Sequence, residues 1–375
     1  MYVFLTSLQG FACSDLEELR FAHWMDESAS AQESIGAVNV IEQDFQGVIW
    51  AGGQNGLARF NGNRFTLFRY SINDPNTISN SYVSSIVNGT SGALWVGTHA
   101  GLNAYNDRTG RFTRYDHLNG ALPADNINSL LLDHGRLWIG TTQGLWLLNE
   151  GASKAQEIPA LHGHNIGALH AGKSGEIWLG TSTGVALWQP EHAQLTWRGS
   201  RTLDVRALTL DERGDLWVGS FNHGLLQVDL DSDEWRSYGK AEGLEGQLIW
   251  ALEYNQRGEL WVASERGGVS RFDPGQKRFV SSTWHLSRHA SLASNKAKAL
   301  KTDSLGDLWV GLFPSGIDHA SRFANQFCNY QGAEDDTGLT HRSVLSLLPS
   351  TSATKGLWVG TENGLNFYNA STHRF

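Results

Sequence analysis

The chain is assembled from a repeated unit whose clearest copy is Gly92-Ala93-Leu94-Trp95-Val96-Gly97-Thr98-His99-Ala100-Gly101-Leu102-Asn103-Ala104-Tyr105. The short apolar run around Trp95 predicts a buried strand. Gly97 and Gly101 bracket a tight turn, where glycine fits because hairpin turns often need a positive φ. The alternating residues from Leu102 to Tyr105 predict a second strand. The unit therefore predicts a β-hairpin around a buried tryptophan.

The same hairpin occurs eight times within the 375 residues. Leu or Ile precedes the tryptophan in every copy, and Gly stands two residues after it except in the sixth copy, which has Ala263. Successive tryptophans are 45, 43, 40, 39, 44, 48 and 49 residues apart. A period in the forties is typical of a four-stranded propeller blade. The eight tryptophans are Trp50, Trp95, Trp138, Trp178, Trp217, Trp261, Trp309 and Trp358.

We therefore predict an all-β fold, a β-propeller of four-stranded antiparallel blades over residues 19–375. In the second unit the predicted strands are Tyr82–Val87, Leu94–Gly97, Leu102–Tyr105 and Arg111–Tyr115. Outer strands of later units include Glu234–Tyr238, Arg278–Ser282 and Asn325–Tyr330. A strand at Leu19–Trp24 can close the ring from the N-terminal side. If it completes unit seven, the ring has seven blades and an extra eighth unit. If it completes unit eight, which lacks a fourth strand, the ring is a closed eight-bladed one.

Composition excludes several classes of partner. The formal net charge is −9 and Lys and Arg are scattered singly, which argues against a nucleic-acid surface. No stretch approaches the roughly eighteen consecutive apolar residues of a membrane helix. Cys13 and Cys328 are far apart, and they indicate neither a disulfide framework nor a metal site. His162-Gly163-His164 has no acidic or Cys partner at metal spacing. We predict no metal and no cofactor.

Residues 1–18 allow two interpretations. Tyr2-Val3-Phe4-Leu5 is apolar, and Gly10-Phe11-Ala12 places small residues where a signal peptidase cuts, but the first basic residue is Arg20. The segment is either the end of a truncated signal, which indicates a periplasmic protein, or an uninformative tail. In the second case a cytoplasmic location stays open.

Three Asp-x-x-Gly-x-Leu/Ile-Trp pieces precede the hairpins, at Asp44–Trp50, Asp211–Trp217 and Asp303–Trp309. They resemble the Asp box of sialidases. Because such boxes stabilise turns and carry no chemistry, we predict a structural role for these aspartates.

The copies at Leu94–Tyr105 and Leu357–Tyr368, with the linking segment Phe65–Asn80, closely resemble the two-component regulator propeller repeat. The resemblance covers nearly the whole chain from Leu19. It implies the periplasmic sensing region of a bacterial transmembrane sensor, which can form a dimer in the intact receptor. It also implies rings of seven blades, whereas the chain's own count of strand edges favours eight. We find no kinase or cyclase segment and expect a sensor region without its output domain.

Candidate ligand residues follow from propeller geometry. The loops after the second strand and before the innermost strand emerge on one face, where polar groups around a central depression form a plausible ligand site. Trp250 can stack on a sugar ring. The candidates are Asn55, His99, Gln143, Asn222, His223, Trp250, Arg266 and Arg342. Each one is also explained as an ordinary turn residue.

Two functions remain in competition. The first is a non-enzymatic sensor or interaction propeller that binds a small molecule, such as a carbohydrate, or a protein partner. The second is a propeller enzyme, a lyase or glycosidase, because streptogramin lyase has similar tryptophan-glycine repeats. An enzyme requires His, Arg and carboxylate groups that converge within hydrogen-bond reach at one channel mouth.

Overall fold

The computed structural model describes residues 19–24, 34–90, 92–122, 124, 126–149, 151–286, 290–314, 316–322, 339–350, 355–369 and 375. They belong to two compact units. The larger is Phe21–Ser321, and the smaller combines Met1–Arg20 with Arg322–Phe375. Strands dominate the described residues, with two short 3-10 turns at Pro159–Leu161 and Lys240–Glu242. None of the described residues forms a helix with the length and apolar character needed to cross a membrane. The signal segment predicted at 1–18 lies outside the described residues.

The larger unit contains seven four-stranded antiparallel sheets among its described residues, numbered here in chain order of their first strands. The first strands of sheets 1–7 are β2 Val38–Gln43, β6 Val83–Asn88, β10 Ile127–Asp133, β14 Ile166–Ala171, β18 Val205–Leu210, β22 Ile249–Tyr254 and β26 Ala297–Thr302. The second strands are β3 Ile49–Gly53, β7 Leu94–Thr98, β11 Arg136–Thr141, β15 Ile177–Thr181, β19 Leu216–Ser220, β23 Leu260–Ser264 and β27 Leu308–Leu312.

The third strands are β4 Gly56–Phe60, β8 Gly101–Asn106, β12 Gly144–Asn149, β16 Gly184–Gln189, β20 Leu225–Asp229, β24 Gly268–Asp273 and β28 Ile317–Ala320. The fourth strands of sheets 1–6 are β5 Phe65–Phe68, β9 Arg111–Tyr115, β13 Gln156–Glu157, β17 Gln194–Arg198, β21 Glu234–Tyr238 and β25 Arg278–Ser282. The four strands predicted for the second unit are therefore confirmed within a residue of their ends.

The fourth strand of sheet 7 comes from the N-terminal side of the chain. It is β1, Ala22–Trp24, which pairs antiparallel with β28 and sets Trp24 opposite Ile317. The predicted N-terminal strand is thus present, shorter than expected, and it completes the seventh unit rather than the eighth. The outer strand predicted at Asn325–Tyr330 lies outside the described residues. The first strands of successive sheets lie side by side, and the first strand of sheet 7 lies against that of sheet 1.

The repeated tryptophans occupy equivalent positions. In all eight copies the tryptophan is paired with the fifth residue of the first strand, as Trp95 is with Val87 and Trp217 with Thr209. Trp217 is only 1% exposed. The predicted equivalence of the hairpins is therefore confirmed in pairing register.

The glycine two residues after each tryptophan gives the next sheet room to pack. A Cβ on Gly97 would lie 2.6 Å from Ile127 Cγ2, the first residue of the next first strand. A Cβ on Gly311 of sheet 7 would likewise lie 2.6 Å from Val38 Cγ1 of sheet 1. The exception fits the same rule: sheet 6 has Ala263, and the next strand begins with the smaller Ala297. The extra methyl group on one side is offset by a smaller side chain on the other.

The three Asp boxes have the structural role expected of them. Asp44 accepts hydrogen bonds from the backbone N–H groups of its turn through Oδ1 and from the Trp50 indole through Oδ2, at 2.8 Å for the latter. Asp211 holds Trp217 in the same way at 3.0 Å. The third aspartate, Asp303, repeats the arrangement with Trp309 at 2.9 Å.

The smaller unit contains the eighth copy as a three-stranded sheet of β29 Val344–Pro349, β30 Gly356–Thr361 and β31 Gly364–Asn369. Its apolar faces are open to solvent. Leu345 is 69% exposed, and Trp358 is 39% exposed. The same repeat thus forms a buried sheet in the larger unit and a partly uncovered one here.

Candidate functional site

Every first strand carries a β-bulge at its second residue. In sheet 2, for example, Val83 pairs with Thr98 and Ser85 with Gly97, so that Ser84 between them has no opposite residue. A bulge re-aims a side chain and is frequent next to functional sites. The bulge residues of sheets 1–7 are Asn39, Ser84, Asn128, Gly167, Arg206, Trp250 and Lys298. They lie at the end of the sheets where first strands begin and second strands end, called the loop end below.

In sheets 1–3 the bulge side chains connect neighbouring sheets. Asn39 Nδ2 donates to the carbonyl oxygen of Val83 at 3.0 Å, and Ser84 Oγ donates to that of Ile127 at 2.5 Å. Asn128 Nδ2 donates to the carbonyl oxygen of Ile166 at 3.1 Å. Each acceptor is the first residue of the next first strand. These side chains therefore satisfy backbone acceptors and leave little polar capacity for a ligand.

Sheet 4 has no bulge side chain. A Cβ on Gly167 would lie 2.7 Å from the carbonyl oxygen of Val205, the first residue of sheet 5. The backbones approach too closely there for a side chain. Sheets 1–4 thus all use the bulge to join one sheet to the next.

Sheets 5–7 carry large side chains at the bulge, two of them basic and one aromatic. Arg206 Nη2 forms an ion pair with Asp204 Oδ2 at 2.7 Å. The indole N–H of Trp250 donates to Glu265 Oε2 at 3.1 Å. Lys298 Nζ lies 4.7 Å from the centre of the Trp250 ring and donates to Asn39 Oδ1 at 3.0 Å. Two cations and an aromatic ring therefore stand side by side on three consecutive sheets.

The loop between the second and third strands is also longer in these three sheets. The tryptophan and the glycine that opens the third strand are six residues apart in sheets 1–4 and seven apart in sheets 5–7. The extra residue lies within the loops 221–223 and 265–267 in sheets 5 and 6 and, in sheet 7, between Leu312 and Gly316. Two of these loops supply Phe221, whose ring centroid is 6.2 Å from that of Trp250, and Glu265, which accepts the Trp250 hydrogen bond.

A cavity of about 670 Å³ opens at this place. Its size falls within the roughly 300–1,000 Å³ of small-molecule sites. It is lined by Phe221, Lys240, Glu245, Gln247, Leu248, Trp250, Glu265 and Arg266. A second cavity, of about 160 Å³, lies near the Asp211 turn at the other end of sheet 5 and is too small by the same measure.

The electrostatics of the site centre on Lys298. Burial lowers the pKa of this ammonium group below 10.5, the charge of Glu265 acts in the opposite direction, and the positive charge of Arg206 lowers it further. No carboxylate oxygen of the described residues lies within ion-pair distance of Lys298 Nζ. The charged lysine is held by an amide oxygen and an indole face, and both contacts are weaker than an ion pair.

Known structures similar to this chain include two extracellular sensor domains of B. thetaiotaomicron. One, from a hybrid two-component system, is 20% identical with a TM-score of 0.73, and the match covers 96% of this chain and 49% of that chain. The other, from a one-component system, is 17% identical with a TM-score of 0.66, over 94% of this chain and 53% of that chain. The fold is a β-propeller. The chain spans about half the length of these sensor domains.

A third similar structure is streptogramin B lyase, which is 13% identical with a TM-score of 0.62, over 80% of this chain and 98% of that chain. No protein-family model matches the sequence, and no curated protein does. At these identities the likeness shows the fold. The two sensor domains agree with the resemblance to the two-component regulator propeller repeat.

Two of the candidate ligand residues, Trp250 and Arg266, lie together in the large cavity. Asn222 and His223 follow Phe221 in the neighbouring loop. The Asn222 side chain bridges two parts of the preceding loop, since it accepts from the Asp204 N–H at 3.1 Å and donates to the Thr202 carbonyl at 2.8 Å. Trp250 and Arg266 therefore remain the candidates with side chains directed to a cavity.

Three other candidates of the larger unit do not line that cavity. Asn55, His99 and Gln143 belong to the two-residue loops of sheets 1–3. The His99 ring stacks on Tyr82 with centroids 3.7 Å apart, and the Gln143 carbonyl accepts from the Gly163 N–H at 2.8 Å. Arg342 lies in the smaller unit.

Sequence reasoning missed Arg206 and Lys298, because both belong to strands and most candidates were sought in loops; Trp250, at the same strand position, was chosen only as an aromatic surface for a sugar ring. A signal was present: the tryptophan-to-glycine distance changes from six to seven in sheets 5–7 alone among the first seven copies. In the same three copies the second residue of the first strand is large: it is Arg206, Trp250 or Lys298.

Proposed function

We propose that the chain is the ligand-binding propeller of a bacterial signal-transduction sensor, located outside the cytoplasm, and that its ligand binds at the loop end of sheets 5–7. The observation that carries this proposal is the break in the repeat there. Three consecutive sheets lengthen one loop and carry Arg206, Trp250 and Lys298 at the bulge, and a cavity opens between Trp250 and the lengthened loops of sheets 5 and 6. Stability alone does not require this departure, because sheets 1–4 pack without it.

The likeness to extracellular sensor domains supports both the sensing role and the location. A protein partner on the same face, and a dimer of the intact receptor, are compatible with the proposal. A non-enzymatic role is the better supported one. Several histidine–carboxylate contacts of the described residues lie away from the cavity, such as His134–Asp133, His162–Glu157 and His319–Asp307.

The proposed architecture is a ring of seven blades closed by Ala22–Trp24, with the eighth copy as an additional unit. The contact between sheets 7 and 1 supports it. Removal of residues 322–375 is expected to leave the melting temperature of the larger unit unchanged, whereas removal of residues 1–24 is expected to lower it, because sheet 7 loses an edge strand. Unfolding of the larger unit after the first truncation would instead place the eighth copy in the ring.

The ligand-binding role is tested by a thermal-shift screen of the full chain against sugars, sugar acids, amino acids and aromatic acids. A ligand in excess raises the melting temperature by mass action. The shift should disappear in Trp250→Ala and persist in Tyr70→Ala, which removes an exposed aromatic side chain from sheet 1. A hit that survives Trp250→Ala would place the site elsewhere. A screen without any hit would leave a protein partner as the only binding role.

A further inference from the structure

The site in sheets 5–7 carries more positive than negative charge, although the chain as a whole has a net charge of −9. Five basic and three acidic side chains lie around the cavity and the three bulges. They are Arg206, Lys240, Arg266, Lys296 and Lys298, and Asp204, Glu245 and Glu265. Two of the acids are already matched, Asp204 by Arg206 at 2.7 Å and Glu265 by Lys296 at 3.6 Å. The remaining charges are those of Lys240, Arg266 and Lys298 against that of Glu245.

Arg266 shows a second departure from what stability alone requires. Its φ of 68° lies in the left-handed region, which side chains with a Cβ rarely adopt. Among the described residues its guanidinium group has no hydrogen-bond or ion-pair partner, and it lines the cavity. The same left-handed conformation occurs elsewhere, at His134, Ala193, Asp233 and Lys277, so Arg266 is distinguished by its unpaired guanidinium group at the cavity. The loop thus holds an unpaired arginine at the cavity in a conformation that glycine would adopt at lower cost.

Lys298 supplies the second cation. Removal of a charged amine from water costs free energy unless an opposite charge compensates it, and no carboxylate among the described residues lies within ion-pair distance of its Nζ. An anion bound beside Lys298 would provide that compensation. Burial lowers the pKa of Lys298, and the charge of Glu265, which acts in the opposite direction, does not cancel this effect.

We propose, on the basis of the ligand-binding role above, that the site in sheets 5–7 recognises a small ligand that carries an anionic group on a ring. Arg266 and Lys298 bind the carboxylate, sulfate or phosphate group. Trp250 and Phe221 contact the ring, since aromatic side chains combine a large apolar surface with a fixed geometry. A cationic ligand is disfavoured by the charge surplus, and a neutral one would leave both cations without a partner.

The test is isothermal titration calorimetry of the full chain at low salt with matched pairs of probes. Galacturonate is compared with galactose and benzoate with benzyl alcohol, so that sugar acids and aromatic acids are separate arms. Sodium sulfate tests the anion without a ring. We expect one of the two acids to bind and its neutral counterpart to bind roughly tenfold or more weakly, because charge-assisted hydrogen bonds are among the stronger ones. Added salt should weaken the binding.

Variants connect the binding to the named residues. Arg266→Gln and Lys298→Met should each weaken the acid by roughly tenfold, the effect expected for one charged hydrogen bond. Lys298→Arg keeps the charge and should retain most of the affinity. Arg213→Gln, an exposed arginine of sheet 5 at the opposite end, should have no effect. Melting temperatures of all variants, measured without ligand, show whether each one folds.

The possible failures are distinguishable. If galactose or benzyl alcohol binds as well as its acid, and Trp250→Ala abolishes that binding, the anionic class is wrong and the ligand-binding role stands. If Arg213→Gln weakens the acid as much as Arg266→Gln does, the effect is one of overall charge and the assigned site is wrong. If no acid binds but a neutral compound from the thermal-shift screen does, the proposed class is likewise overturned.

Discussion

Asn128 in sheet 3 and Lys298 in sheet 7 occupy the same bulge of the same repeat, yet they have different neighbours. Asn128 donates to backbone and side-chain oxygens of the next sheet, at 3.1 Å to the Ile166 carbonyl and 2.8 Å to Asn165 Oδ1. Lys298 contacts an amide oxygen and an indole ring. Both side chains reach a neighbouring sheet, since that amide oxygen belongs to Asn39 of sheet 1, but only Lys298 brings a charge and lies over an aromatic ring that lines a cavity. The bulge in itself is therefore a feature of the fold, and its side chain decides which chemical groups stand at the loop end.

The contrast extends from the bulge to the adjacent loop. In sheets 1–4 the loop between the second and third strands has two residues, and the bulge residue of the first strand is small. In sheets 5–7 that loop has three residues, and the bulge residue is large. In a propeller the core is repeated in every blade, so a deviation shared by neighbouring blades is informative about function. We take the boundary between sheets 4 and 5 as one edge of the binding region.

The largest effect is expected from removal of a core tryptophan, with Trp250 as the matched comparison. Trp217 is buried against Tyr238 and Phe272 with ring centroids 5.2 and 5.1 Å away. Trp217→Ala should lower the free energy of unfolding by about 3–5 kcal/mol, since a large buried ring is replaced by a cavity. Trp250→Ala should cost distinctly less, because the ring is only half-buried, and should abolish ligand binding. Urea unfolding measures the loss of stability in each variant, and titration calorimetry measures the loss of ligand binding. Equal losses of stability would show that Trp250 is a core residue.

The second effect concerns the bulge residues themselves. Asn128→Ala leaves the Ile166 carbonyl without its side-chain donor and should cost about 1–2 kcal/mol of unfolding free energy. Lys298→Met keeps an apolar chain of similar length and removes a desolvated charge, so it should leave stability unchanged or raise it at neutral pH. Chemical denaturation at pH 7 measures both. If Lys298→Met loses as much as Asn128→Ala, the hydrogen bond from Lys298 to Asn39 of sheet 1 stabilises the fold as much as the bonds of Asn128 do, and the distinction between the two groups fails.

The fold could be predicted from the sequence because its determinants are local and repeated. Leu94-Trp95-Val96 predicts the strand, Gly101 has the positive φ expected of its turn, and Asp44 has the predicted structural role. Gly97 was assigned to the turn for the same reason as Gly101, but it has no positive φ and is needed for the close approach of the next sheet. The closure of the ring was harder, since the strand at Ala22–Trp24 pairs with residues almost three hundred positions later. The sequence indicates that a strand at the N-terminal side is available to complete a sheet, but it does not show with which sheet that strand pairs.

The candidate site could be predicted only in part. Arg266 was found because it stands in a loop and Trp250 because an indole can stack on a sugar ring, and their role as ligand residues stays a prediction. Arg206 and Lys298 were missed since the run Val205-Arg206-Ala207 alternates as an ordinary strand does. Alternation gives no sign of a bulge, which is a property of pairing with the second strand.

The third prediction uses pH to separate Lys298 from the other bulge residues. Burial keeps the pKa of Lys298 in the folded chain below 10.5, its value in the unfolded chain. At a pH between the folded and unfolded pKa values, the unfolded chain therefore binds more protons than the folded chain. The free energy of unfolding therefore gains a contribution that rises with pH across that window. Lys298→Met should remove this rise, and Asn128→Ala, which titrates no group, should keep it. The measurement is the difference in unfolding free energy between variant and wild type from pH 7 to pH 10.5. A difference that stays constant with pH would contradict the lowered pKa.

The smallest effect is expected at His99, which lies in a two-residue loop and was a candidate ligand residue. Its ring stacks on Tyr82 at an interplanar angle of 18°, so His99→Ala should cost about 0.5–1.5 kcal/mol of unfolding free energy. Burial lowers the pKa of His99 below 6.5, so the unfolded chain binds more protons between those values and the contribution of the stack is lost as pH falls through that window. Affinity for the ligand should not change, because His99 belongs to sheet 2. A loss of affinity comparable to that of Trp250→Ala would extend the site beyond sheets 5–7, and the two-residue loops would then have to be counted among the elements that bind the ligand.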